Sequence, residues 1–194
     1  MDSTARENVR YTAAQYYEAV GDSEELTELD DGYIIVLGNP NISHQRISRR
    51  ITTTFDNYIL AHGGNCEPFS APTEVELDES NVVVPDVFIS CHPEKFDNDR
   101  YYGAPELVIE IVSKNRKRDF IDKLFKYRKA GVREYWIVDP KYRETVVYFF
   151  EEDILAKKYP FDESIPVRIY GGMPDPLTIN IAELIAPFMT EVQE

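Results

Sequence analysis

Two short stretches, Leu107–Val112 and Glu134–Asp139, carry apolar side chains on both faces, and a helical stretch lies between them. A strand that is apolar on both faces has to be covered on both sides, as parallel strands inside a layered sheet are. The intervening Arg118–Ala130 has helical periodicity and ends at Gly131. Strand, helix and strand following one another at this length make a βαβ crossover. The chain is therefore expected to form an α/β or α+β fold, a mixed central sheet flanked by helices.

The flanking segments fit that plan. Thr12 followed by Gln15 reads as a capping box that opens a short helix to about Val20. Leu26–Leu29 and Tyr33–Leu37 flank Asp30-Asp31-Gly32, a hairpin signal. Ile47, Ile51, Phe55, Tyr58 and Ile59 recur at helical spacing and predict a helix from about Ser43 to Ala61, stopped by Gly63-Gly64. Glu74–Leu77 and Val82–Ile89, separated by Asp78–Asn81, predict a second hairpin. Thr145–Phe150, Ile154–Tyr159 and Val167–Tyr170 read as further strands, and Ile181–Ile185, capped by Asn180, as a last helix. No linker or repeat divides the 194 residues, so a single domain over 1–194 is expected, with its core from about 12 to 186.

Composition narrows the setting. No apolar run approaches the roughly 18 residues of a membrane helix, and the N-terminus lacks the pattern of a secretory signal. Cys66 and Cys91 make no disulfide framework, which fits a reducing cytoplasm. Their neighbours His62 and His92 do not give the spacing of a structural zinc site. Thirty-five acids against 21 bases leave a formal net charge of −14, which argues against a polyanion as partner at long range. Ser113–Lys129 departs from this, with eight bases and two acids. Such an island is either a local anion site or a solvated helix start.

Two carboxylates stand where core residues belong. On its strand, Glu110 shares a face with Val108 and Val112, and Asp86 shares one with Val82, Val84 and Phe88. Burying an ionised carboxylate costs several kcal/mol unless it is paired or metal-bound. Two of them on nearby strands ask for a shared cation, and hard oxygen donors without His or Cys beside them favour Mg²⁺ or Mn²⁺. On the wheel of the following helix, Lys123 falls at the border of the apolar stripe, with Asp119 one turn before it. Arg128 lies deeper in the stripe, so periodicity alone does not single out Lys123.

Pro85-Asp86, then Glu110-Ile111-Val112-Ser113, then Asp119-x-x-x-Lys123-x-x-x-Tyr127, then Gly131-Val132-Arg133-Glu134-Tyr135-Trp136-Ile137-Val138-Asp139-Pro140, occur in order. This set resembles the PD-(D/E)XK nuclease superfamily and, within it, is similar to the bacterial Uma family of restriction endonucleases, once catalogued as a domain of unknown function. The similarity runs from about Thr12 to the Ile181 helix, and His44 at the start of the long helix matches the family's habit. It implies a restriction-endonuclease-like fold and a metal-dependent endonuclease site acting on DNA. Asp86 and Glu110 would hold Mg²⁺ (or Mn²⁺), helped by the backbone carbonyl of Ile111. The superfamily's lysine is expected two residues after the glutamate, where this chain has Val112. In this family the lysine has moved to the next helix, which makes Lys123 the catalytic candidate. A homodimer is likewise implied, since two cuts in a duplex use two copies of a site.

Around that triad, Tyr127 reads as core packing or a second shell, and Asp119 as the i,i+4 partner of Lys123. His44 reads first as a surface histidine and second as a group near the metal. Glu76, beside Glu74, is either a further metal ligand or one side of a half-exposed hairpin. Arg116, Lys117 and Arg118 are candidate phosphate contacts, and DNA binding is expected to weaken steeply with salt. Two other functions fit the sequence: a non-catalytic binding or regulatory domain, which suits the acidic surface, and a metal-dependent hydrolase of small phosphate compounds.

Overall fold

The computed structural model describes residues 9–21, 23, 25–113, 118–152 and 156–188. In chain order the elements are helix α1 (Ala13–Val20), strands β1 (Thr27–Asp30) and β2 (Tyr33–Val36), helix α2 (Ile42–His62), then strands β3 (Glu67–Ser70), β4 (Glu74–Asp78), β5 (Asn81–Val83), β6 (Val87–Ser90), β7 (Arg100–Tyr102) and β8 (Leu107–Ile111). Helix α3 (Lys123–Ala130) follows, then β9 (Glu134–Asp139), β10 (Glu144–Phe149), β11 (Lys157–Pro160), β12 (Ile165–Pro166), β13 (Thr178–Ile179) and helix α4 (Ile181–Ile185).

The crossover forms as its sequence requires, with β8 and β9 parallel and Leu107 opposite Glu134. They are the central strands of a six-stranded mixed sheet ordered β11-β10-β9-β8-β6-β3. One face of that sheet packs Ile109, Ile111, Trp136 and Val138 against Ile47, Ile51 and Phe55 of α2. The opposite face packs Val108, Val112 and Ile137 against Tyr127 of α3 and against Val75, Val83 and Tyr101 of a second sheet. The result is a single mixed α+β domain, its sheets flanked by helices.

Local chemistry sets several boundaries. Thr12 caps α1, and Gln15 returns the bond to the Thr12 N–H. Asn41 caps α2 by accepting the His44 N–H at 2.9 Å. The β1–β2 hairpin turns through Asp31 and Gly32, both at positive φ. A side chain at position 32 would meet Arg10 Cβ at 3.1 Å, so glycine is required there for space as well as for φ. Gly131, in the left-handed region, ends α3.

The structure differs from the sequence reading in several places. The second sheet, ordered β2-β1-β5-β4-β7, is separate from the first. The expected Val82–Ile89 strand divides at Val84-Pro85-Asp86, so that β5 pairs in the second sheet and β6 in the first. Pro85 has no N–H to give a ladder, and the chain changes sheets at that gap. The expected Arg118 helix start is a π-helical turn over Arg118–Asp122, with α3 beginning at Lys123. The Val167–Tyr170 strand is replaced by a short 3-10 turn over Arg168–Tyr170. Finally, Cys66 and Cys91 are joined in a disulfide. The β3–β6 register sets Glu67 opposite Ser90, which brings the residues just beyond them together. The sequence reading, that the two cysteines make no disulfide framework and so fit a reducing cytoplasm, loses its basis in this bridge. Part of the predicted Ile154–Tyr159 strand lies outside the described residues; β11 occupies its end. Among the described residues no helix is long and apolar enough to cross a membrane.

Candidate active site

The Pro85 break carries Asp86 to the end of the central strands. β6 pairs with β8 through Val87↔Ile109, and the same register continued by one residue sets Asp86 opposite Glu110. Asp86 Oδ2 accepts the Ile111 N–H at 2.7 Å. An ionised carboxylate can only accept, so His44 Nε2–H donates to the same oxygen, at 3.0 Å. One turn further along α2, Ser48 donates to the Asp86 backbone carbonyl at 3.1 Å. The first turns of α2 therefore grip Asp86 by side chain and backbone. His44 is 7 % exposed, which corrects its reading as a surface histidine: the Asn41 cap turns the helix start toward the sheet.

Glu110 is 3 % exposed, on the same face as Val108 and Val112. Its Oε1 accepts from Lys123 Nζ at 2.7 Å and from the Tyr127 hydroxyl at 2.6 Å. Lys123 and Tyr127 are four residues apart and share one face of α3, so a single helix delivers both donors. Burial pushes the Glu110 carboxyl up to about 8; the Lys123 ammonium opposes this, while Asp86, Asp119 and Glu28 add to it. Burial also works against the charge on Lys123, but Glu110 and Glu28 together hold its ammonium above the usual lysine range. The Tyr127 hydroxyl is pushed well up by burial and by Glu110. Asp119, raised to about 6 by burial and by Asp86 with Lys123 opposing, lies in the π-helical turn just before α3. Its backbone carbonyl accepts the Tyr135 hydroxyl at 3.0 Å.

Glu28 was not singled out by any pattern, yet it is fully buried in this cluster. Its Oε1 accepts the Val84 N–H at 2.8 Å and lies 3.2 Å from Lys123 Nζ. Its Oε2 pairs with Arg118 Nη2. In sequence it is one acid of an acid-rich hairpin, indistinguishable from its solvated neighbours.

Among the described residues of the basic island, Arg118, Lys123 and Lys126 turn inward, while Arg128 and Lys129 are exposed. Arg118, expected as a phosphate contact, is ion-paired to Glu28 and lies 3.5 Å from Asp30. Lys126 bonds Asp30 at 2.6 Å and Asp31 at 2.8 Å. The acidic β1–β2 hairpin thus neutralises two of the bases that a duplex was expected to meet. Arg116 and Lys117 lie outside the described residues. Glu76 stands on β4 in the second sheet, where its charge acts on Tyr17 and Tyr102.

Among the described residues, no three His, Cys, Asp or Glu side chains converge as metal ligands. The donor set that fits a hard divalent cation is two carboxylates, Asp86 and Glu110, whose hydrogen bonds gather on one oxygen of each. The upward shift of Glu110 comes mainly from burial, with the charge of Asp86 adding to it.

In structure the chain is similar to a protein of Anabaena variabilis ATCC 29413 described as "a putative nuclease belonging to DUF820", with a TM-score of 0.74 at 18 % identity, covering 90 % of this chain and 97 % of that one. In sequence it is 31 % identical over 90 residues to the uncharacterized protein slr1290 of Synechocystis sp. (strain ATCC 27184 / PCC 6803 / Kazusa). That match spans about half of the relative's length, 46 % of each chain. The family model Uma2, described as "Putative restriction endonuclease", matches residues 13–170. The chain, matched over most of its length, belongs to the Uma2 family.

Proposed function

We propose that this protein is a divalent-metal-dependent endonuclease that hydrolyses DNA phosphodiester bonds through Asp86, Glu110 and Lys123. The observation that carries the reading is the juxtaposition of Asp86 and Glu110 across β6 and β8, with the Lys123 ammonium 2.7 Å from Glu110. Asp86, Glu110 and the Ile111 carbonyl would hold Mg²⁺ or Mn²⁺, whose chemistry there would be Lewis-acid activation of the phosphate and of a water. His44 and the Ile111 N–H orient Asp86. Lys123 holds a positive charge beside the reacting phosphate, where charge builds in the transition state. Tyr127 and Asp119 shape the pocket around that ammonium, the first through its bond to Glu110.

The test begins without a substrate: calorimetric titration of Mn²⁺ into the wild type and into Asp86→Ala, then incubation of both with supercoiled plasmid. A stoichiometric site and plasmid nicking, both lost in Asp86→Ala, support the reading. Absence of both in the wild type overturns it. A second reading, a binding domain that keeps the nuclease fold, is favoured by the inward pairing of Arg118 and Lys126, which takes two bases of the island away from a duplex. That reading gains if the wild type neither binds metal nor nicks plasmid.

A further inference from the structure

Glu28 belongs to a hairpin of the second sheet, yet it touches both halves of the site carried by the first. Through the Val84 N–H it holds the backbone two residues before Asp86, and through Lys123 it reaches the ammonium that Glu110 also binds. A carboxylate with no exposed surface costs several kcal/mol to desolvate, and here two cations and one peptide N–H answer it. Lys123 is therefore anchored twice, at 2.7 Å to Glu110 and at 3.2 Å to Glu28. The two anchors have different fates. Glu110 is a candidate cation ligand, and an oxygen given to a cation is withdrawn from the ammonium. Glu28, enclosed by Val84, Arg118 and Lys123, has no such second task.

We infer that Glu28 is the positioning residue for Lys123: it keeps the ammonium in the site when Glu110 turns to a divalent cation, and lowers the competition between Lys123 and that cation for Glu110. This inference rests on the metal-site reading above, but it makes a claim about Lys123 that can be checked without metal. Glu110→Gln imitates a carboxylate whose charge is already engaged. In that variant Glu28 should still hold Lys123, so its amine should stay protected from an acetylating reagent relative to Lys129, whose side chain is 80 % exposed. Adding Glu28→Gln should raise the labelling of Lys123, read by peptide mass spectrometry, by about tenfold as the buried pair is lost.

Labelling of Lys123 in Glu110→Gln alone would overturn the inference, as would continued protection in the double variant. Thermal melts report folding, and if the double variant does not fold, Glu28→Asp in the Glu110→Gln background replaces it, with a smaller gain in labelling expected. Manganese titration then separates positioning from general stability. Glu28→Gln should weaken Mn²⁺ binding by about tenfold, because Lys123 falls wholly on Glu110, and should have no effect in a Lys123→Met background. An equal loss in both backgrounds means a structural role only and overturns the inference. If the wild type binds no Mn²⁺, the nuclease reading falls, while the labelling still decides whether Glu28 holds Lys123.

Discussion

Lys123 Nζ lies 2.7 Å from Glu110 Oε1, with the lysine 5 % and the glutamate 3 % exposed. The ammonium reaches the strand from the following helix, one strand-to-helix connection away from where Val112 denies it a place. A pair this buried is worth most when intact and costs most when halved.

Removing one partner should therefore be worse than removing both. Lys123→Met is expected to lower unfolding free energy by about 3–5 kcal/mol, since it leaves Glu110 without its cation in a dry site, and Glu110→Gln by less, about 1–3 kcal/mol, since Glu28 still holds Lys123. The double variant should recover part of that loss. Urea melts of the four proteins check it, and additive losses would show that the two side chains do not form a pair in solution.

His44 should tune metal affinity without being a ligand. Its Nε2–H bond fixes the Asp86 carboxylate, and loss of such an outer partner commonly costs about 10–100-fold in affinity. His44→Gln is expected to weaken Mn²⁺ binding at the low end of that range. An affinity equal to wild type would mean that the Ile111 N–H alone orients Asp86.

Glu134 gives a pH signature far from the site. It is buried on β9, accepting the Trp136 indole N–H at 2.7 Å and the Ile169 N–H at 3.2 Å. Burial pushes its carboxyl up to about 7, against those bonds. A carboxyl raised on folding contributes stability that is whole below its unfolded pKa, near 4.5, and is lost as pH rises through about 7. Glu134→Gln, which cannot ionise, should match wild type near pH 4 and exceed it above pH 7, by up to ~3 kcal/mol. Parallel stability curves for the two proteins between those pH values would contradict this.

Arg118 should behave as a buried partner and not as a phosphate contact. Arg118→Gln leaves Glu28 with one cation fewer, and a loss of about 2–4 kcal/mol is expected. The salt dependence of any DNA binding should be unchanged, because no counterion-releasing contact is removed. A shallower slope of log K against log salt, with stability intact, would return Arg118 to the interface.

Much of the fold was legible locally. The doubly apolar Leu107–Val112 and Glu134–Asp139 demanded a covered parallel pair, and Thr12, Asn180 and Gly131 marked helix ends through bonds made within a few residues. β3 escaped because Pro68 lies inside a four-residue run at the edge of its sheet, and β7 because three residues carry no period. Glu110 could be suspected from sequence, since an acid in an apolar strand violates a pattern that is itself local, while Asp86 was suspected from a strand that Pro85 in fact breaks.

What the chain alone determined were those patterns: the crossover, the helix caps, and two carboxylates in apolar company. What only the tertiary structure decided is which charges meet. Glu28 reaches Lys123 from 95 positions away, Arg118 turns inward, and His44 is drawn to Asp86. Ion pairing between distant segments has no sequence period. It follows from how two sheets and a helix close on one another, where a buried charge must find whichever partner the packing brings.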